Sequence, residues 1–314
     1  MSLTAAEIAE KVEQISTQGW CVLEDQLGVW DACAGETDWV GSTKDTFMDV
    51  LGRFASTTEP NRGPARYYMN VPMAPPFLTP LEHPGIQAVC EAVLGEGAVV
   101  ENLASDTPLG LGSTFQEFHR DCGNDPKEER EIWTLVVNVN LTDVSADMGP
   151  FEIVPTTAQT DIAEVAAAFG QHDRSTGEPL PFPGAEAAAE AAAAAAPFPA
   201  PVPLLARKGD ILIRDPRVVH RGTLSYSTEP RPALAYIFVP GDRANSWGLG
   251  KNTRIHAAAV VRSPFTHTRT QISTHTESET RYSARSSTTS LESCAAAAAT
   301  ICTNCHCCCR CRCR

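Results

Sequence analysis

The chain has 314 residues, 43% of them hydrophobic, and carries 25 basic against 38 acidic side chains for a formal net charge of −13. Residues 262–314 hold 7 Arg and 3 Glu, net +4, which leaves −17 on the first 261, a body too acidic for the clustered Lys and Arg that nucleic-acid binding requires. The composition supports one large core, has no long apolar run outside Ala-rich tracts and so indicates no membrane span, and begins without the basic-then-apolar order of an export signal.

In chain order, the first informative residues are Arg62, Arg66, Tyr67 and Tyr68, ahead of the Pro-rich loop 69–77. They either line the mouth of a site or anchor that loop. Next comes His119-Arg120-Asp121. On an extended backbone, positions i and i+2 point to one face, so this imidazole and carboxylate can grip one ion from the same side. Residues 132–141 read as a strand rich in β-branched side chains, apolar at its odd positions from Leu135. Asn138 and Asn140 fall on its even positions and face either a polar lumen or solvent. Residues 209–220 read as a Gly-Asp turn, a short apolar strand, a Pro-marked bend and a second short strand ending on His220. Eleven residues later Arg231 opens an apolar strand that runs to Val239. Together His119, Asp121 and His220 supply two imidazoles and one carboxylate, the ligand set that leaves positions open on a non-haem ferrous ion.

Two segments stand apart from this framework. Within an Ala/Pro-rich insertion at about residues 170–205, every residue from Ala185 to Ala196 is Ala or Glu, a helix-favouring run followed by a Pro-rich spacer. The tail 262–314 is rich in Ser and Thr and then in Cys, with 8 of the chain's 12 Cys in its last 21 residues. Its low complexity reads as disorder, with a soft-metal thiolate cluster as the alternative. The four body cysteines, Cys21, Cys33, Cys90 and Cys122, form no disulfide pattern and fit a reducing, cytoplasmic setting. His172, His256, His267 and His275 lie outside any ligand spacing and are expected in solvent; Trp247 is read as either functional or structural.

Residues 3–23, His83-Pro84 with Val93-Leu94-Gly95, Phe115-Gln116-x-x-His119, Gly149 to Pro155 and Gly209 to Leu212 follow one another in an order that resembles the phytanoyl-CoA dioxygenase family of Fe(II)- and 2-oxoglutarate-dependent oxygenases. The resemblance runs from about residue 3 to about residue 240. It implies a mainly β fold with flanking helices, a double-stranded β-helix or jelly-roll barrel, occupying residues 1–261. It also implies Fe(II) held by His119, Asp121 and His220, with dioxygen and 2-oxoglutarate as co-substrates and ascorbate in support. Arg231 would hold the distal carboxylate of 2-oxoglutarate, with Gln116 and Thr223 as further candidates for that pocket. A small-molecule substrate would be hydroxylated while 2-oxoglutarate is decarboxylated to succinate and CO2.

The chain departs from relatives after Pro155. It reads Thr156-Thr157-Ala158-Gln159 where a Gly-Ser-His turn is usual, which bears on substrate contacts and not on the iron ligands. Related halogenases carry a small residue in place of the triplet's carboxylate. Asp121 is present, which favours hydroxylation. The alternative reading is a non-catalytic metal- or ligand-binding barrel, or a metal-binding role for the Cys-rich tail.

Overall fold

A computed structural model describes residues 3–24, 38–121, 131–173, 175–180 and 198–242, and the backbone of 255–256. The Ala-rich run, Cys33, Cys122, Trp247, His267, His275 and the Cys-rich tail fall outside the described residues.

The chain opens with helix α1 (Ala5–Gln18). Thr4 and Glu7 form a reciprocal capping box at its start, and Gly19, at φ 101, ends it in a left-handed turn that a side chain would resist. Strand β1 (Trp20–Leu23), helix α2 (Trp39–Ala55) and strand β2 (Arg66–Asn70) follow. A 3-10 turn at Thr79–Glu82 leads into helix α3 (Pro84–Leu94), then come β3 (Val99–Pro108), β4 (Leu135–Asn140), β5 (Phe151–Ile153) and α4 (Ile162–Phe169). The remaining strands are β6 (Val202–Leu204), β7 (Ile211–Arg214), β8 (His220–Gly222), β9 (Ala233–Val239) and β10 (Ile255–His256).

These strands form two antiparallel sheets. The larger runs β1-β7-β4-β9-β3-β10 with β2 also paired to β3, and the smaller runs β6-β5-β8. Helices flank them, the mainly β jelly-roll layout expected from the sequence. The two-residue alternation of the strands divides the large sheet's faces. Leu135, Val137 and Val139 of β4, Ile211 and Ile213 of β7, and Leu234, Tyr236 and Phe238 of β9 pack into one core with Ile15 of α1, Phe47 and Leu51 of α2, and Ile86 and Val89 of α3. The intervening residues, Val136, Asn138, Asn140, Leu212, Arg214, Ala233, Ala235 and Ile237, line a cavity on the opposite face. Asn138 and Asn140 therefore face a lumen rather than solvent. Among the described residues no helix is long and apolar enough to cross a membrane.

His83 caps α3, its buried Nδ1 accepting from the Gly85 and Ile86 amides at 3.1 and 3.4 Å, so it must be neutral. Burial above all pushes its pKa down from 6.5 to about 4. The unfolded chain therefore takes up a proton that the folded chain refuses between those two values, and stability falls as pH drops through this window. Thermal unfolding from pH 7 to pH 4.5 is expected to show a falling melting temperature. His83→Asn, which keeps an acceptor at the cap without titrating, should flatten part of that fall.

Candidate active site

His119 and His220 are neighbours because the backbone pairs them directly. The amide of each donates to the other's carbonyl at 3.0 Å in a single antiparallel bridge beside β8. Their ring centroids lie 4.5 Å apart. Asp121, expected to continue a strand from His119, instead sits in a bend whose amide donates to the Pro216 carbonyl at 3.1 Å. The two-residue spacing still brings its carboxylate alongside the imidazoles: Oδ1 is 3.9 Å from His119 Nε2 and Oδ2 is 3.4 Å from His220 Nε2. One ligand atom from each of the three residues lies within 4.8 Å of the others.

The tautomers follow from the partners. Nδ1 of His119 is 2.8 Å from the Glu117 carbonyl, and Nδ1 of His220 is 2.8 Å from the Val218 carbonyl. A carbonyl only accepts, so each Nδ1 carries a hydrogen and each Nε2 faces the space shared with Asp121. Burial, reinforced by His220, lowers the His119 pKa to about 4, so that ring is neutral at neutral pH. Burial alone would raise the Asp121 pKa, but Arg214 and the two imidazoles outweigh it and hold the carboxyl well below the usual range. Two imidazoles and one anionic carboxylate, oriented by their outer partners, fit a divalent iron.

Arg214, at the end of β7, is the carboxylate's partner. It is 5% exposed, its Nη2 donates to Asp121 Oδ2, and its Nε donates to Asn138 Oδ1 at 3.3 Å. Its guanidinium lies 4.9 Å over the Phe151 ring, which stands 4.8 Å from the His220 ring. This clamp holds Oδ2 and leaves Oδ1 of Asp121 facing His119 Nε2. Arg214→Leu is expected to weaken Co(II) binding by about 10- to 100-fold in an anaerobic absorbance titration, the usual cost of losing an outer partner. Unchanged affinity would remove the clamp from the account.

A second cationic region lies in the same cavity. Arg231 is 7% exposed, and its Nε donates to the Gly149 carbonyl at 3.0 Å while its amide donates to the Pro108 carbonyl at 3.1 Å. Its two terminal nitrogens make no hydrogen bond among the described residues. Burial first, then the neighbouring Arg66, lower its pKa to about 10 against the pull of Asp106, which leaves it charged at neutral pH. Arg66, on β2 and 2% exposed, pairs with Asp106 at 3.5 Å and donates to Ser113 Oγ at 3.2 Å. Gln116 bridges the region, accepting from the Gly222 amide at 2.8 Å and donating to Asp106 Oδ2 at 3.1 Å. A Cβ on Gly222 would stand 2.6 Å from Arg66 Nη1 and 2.7 Å from Gln116 Oε1, so this strand passes only as glycine. Thr223 donates its hydroxyl to the Pro150 carbonyl at 2.9 Å and is not among the cavity's lining residues.

The cavity has a volume of about 460 Å³, within the range of small-molecule sites, and both sheets line it. Its charged lining consists of Arg62, Arg66, Arg120, Arg214 and Arg231 against Asp106, Glu117 and Asp121, an excess of two positive charges inside an acidic protein. Of these, Arg120 donates to the carbonyls of Arg217, Thr157 and Thr160.

The model of the phytanoyl-CoA dioxygenase family matches residues 19–233, more than two thirds of the chain and all three candidate ligands. The chain belongs to that family. Solved structures agree in fold. The non-haem α-ketoglutarate-dependent carbocyclase SnoK from nogalamycin biosynthesis is 16% identical with a TM-score of 0.52, covering 76% of this chain and 84% of its own. HygX from Streptomyces hygroscopicus, solved with nickel and 2-oxoglutarate bound, is 14% identical with a TM-score of 0.50, covering 77% and 89%. AviO1 from Streptomyces viridochromogenes is 16% identical with a TM-score of 0.50, covering 77% and 99%. Comparison with curated protein sequences gives no match.

In this phytanoyl-CoA dioxygenase family member the sequence reading missed Arg214 and left Arg66 between lining the mouth of a site and anchoring a loop; it lines the cavity. His172, expected in solvent, is half-buried. Its ring stacks on Phe115 at 4.6 Å and its Nδ1 lies 3.3 Å from Nη1 of Arg221. Arg221 is drawn there by Glu152 at 2.9 Å and by the Phe118 ring at 3.9 Å.

Proposed function

We propose that the protein is an Fe(II)- and 2-oxoglutarate-dependent dioxygenase that hydroxylates a small molecule, with its activity in residues 1–261. The observation that carries the reading is one cavity holding both Nε2-presenting imidazoles beside Asp121 and the unpaired fork of Arg231. His119, Asp121 and His220 would hold the iron. With 2-oxoglutarate and dioxygen, the metal supplies an oxidant able to break a C–H bond.

The chain's own residues account for the rest. The Glu117 and Val218 carbonyls fix the imidazole tautomers, and Arg214 fixes the carboxylate. Arg231 supplies a planar fork, charged at neutral pH, for the distal carboxylate of 2-oxoglutarate, with Arg66 adding positive potential beside it. Gln116 braces Asp106 so that this carboxylate stays on Arg66 and leaves Arg231 open. Asp121 itself supports hydroxylation over halogenation, because it fills the position a halide would need. Ascorbate would keep the iron reduced, and the buried free thiols Cys21 and Cys90 suit a cytoplasmic setting.

The balanced reaction joins substrate, dioxygen and 2-oxoglutarate to give hydroxylated substrate, succinate and CO2. Turnover under 18O2 should place one labelled atom in succinate and one in the product. Succinate that carries label while the product gains none would support a 2-oxoglutarate oxidase of another outcome. Absence of iron-dependent succinate would favour the binding-barrel alternative.

A further inference from the structure

Once the cavity's ion pairs and the carbonyl-bonded Arg120 are set aside, one cation is left over. Asp106 is taken by Arg66 and Asp121 by Arg214, while Arg231 is reserved for 2-oxoglutarate. Arg62 has no carboxylate partner among the described residues, lines the cavity, and stacks its guanidinium 4.8 Å over the Tyr68 ring. The stack is pre-built. The amides of Asn61 and Arg62 both donate to the Arg66 carbonyl, at 3.2 and 3.3 Å, closing the turn that carries Arg62. The Asn61 side chain then ties this turn to both backbone groups of Tyr68, at 2.9 and 2.7 Å. Burial raises the Tyr68 pKa, so its phenol remains a neutral donor.

The small sheet and the chain just after it present a contrasting surface, with Phe151, Leu204 and Leu205 lining the same cavity. Leu205 is 55% exposed, an apolar side chain left open to whatever enters.

We propose, building on the iron and 2-oxoglutarate reading, that the substrate is a small amphipathic carboxylate, its acid group held by Arg62 and Tyr68 and its apolar part against Phe151, Leu204 and Leu205. Charge supports this class. Iron adds two positive charges and 2-oxoglutarate two negative ones, so the lining's excess persists and favours an anion. A single planar guanidinium with one phenol matches a carboxylate, whose charge it balances. A phosphate carries nearly twice the charge, and no lysine lines the cavity among the described residues to share it.

The test uses the full chain, loaded anaerobically with Fe(II) and saturating 2-oxoglutarate, whose visible charge-transfer band is recorded first. Octanoate, octanamide, octylamine and octyl phosphate are then titrated by calorimetry. Octanoate is expected to bind at least about tenfold tighter than the amide or amine, the scale of one charge-assisted pair. Arg62→Gln should erase that preference, Arg62→Lys should retain part of it, and Tyr68→Phe should reduce it. Circular dichroism checks that each variant is folded. Equal affinities, tighter binding of octyl phosphate, a preference that survives Arg62→Gln, or no binding of any probe would overturn the proposal. A missing band would instead count against the iron and 2-oxoglutarate reading. A carboxylate preference sensitive to Arg231→Leu but not to Arg62→Gln would then mean that octanoate had entered the co-substrate pocket.

Discussion

Asp121→Ala is expected to lose iron affinity by at least about 100-fold, beyond the 10- to 100-fold typical of outer partners, and to stop succinate formation. The substitution removes the one anionic member of the proposed ligand set and leaves two imidazoles to hold a dication. It also leaves Arg214, 5% exposed and with Nη1 already lacking a hydrogen-bond partner among the described residues, without its carboxylate. Removing one member of a buried pair strands the other, so the melting temperature should fall as well. The two effects separate in the double variant Asp121→Ala with Arg214→Leu, which should recover much of the lost melting temperature and none of the metal binding. Metal affinity and melting temperature recovering together would mean that Asp121 acts through the fold rather than as a ligand. The measurements are anaerobic Co(II) or Fe(II) titration and thermal unfolding of the metal-free protein.

Arg231→Leu should act on 2-oxoglutarate and not on iron. Removing one side of a buried charge-assisted pair costs about 2–5 kcal/mol, so the 2-oxoglutarate concentration needed for half-maximal turnover should rise by at least about thirtyfold. Metal affinity should move little, because Arg231 makes its bonds to Gly149 and Pro108 and none to the ligand residues. Arg231→Lys keeps the charge but loses the fork, and should fall between wild type and leucine. A 2-oxoglutarate requirement unaffected by either change would take Arg231 out of the co-substrate pocket and leave Arg66 as the cation to test next.

The large sheet was readable because its strands obey a two-residue period. Odd positions of β4 face the helices, and Asn138 and Asn140 face the cavity. The same rule, applied to β7 and β2, held a signal that was not used. Ile211 and Ile213 alternate with Leu212 and Arg214, and Tyr67 and Met69 with Arg66 and Tyr68, so three of these four alternates were polar or charged residues in phase with the lumen. An arginine closing an apolar strand is normally a surface residue. What keeps Arg214 inside is Asp121, 93 residues away in the chain, a partner that no local pattern reveals.

The triplet His119-Arg120-Asp121 fits its spacing but not its expected setting. His119 makes a single bridge to His220 rather than joining a strand, and Arg120 points away to bond three carbonyls, which fixes the bend. His172 was misplaced for a similar reason, since its burial depends on Phe115 and Arg221, distant in sequence. The basic character of the cavity was hidden by an acidic chain. Its arginines come from the turn before β2, from β2 itself, from the triplet, from β7 and from the chain just before β9, and no two lie in one basic run.

The most direct test of the central claim is anaerobic addition of Fe(II) and then 2-oxoglutarate to the full chain, followed by visible absorbance for the weak charge-transfer band of a chelated keto acid. A band that forms in wild type, is lost in His220→Ala and needs more 2-oxoglutarate in Arg231→Leu is the expected result. A folded wild-type protein that gives no band, or a band that persists in His220→Ala, would contradict the assignment of this cavity as an iron and 2-oxoglutarate site.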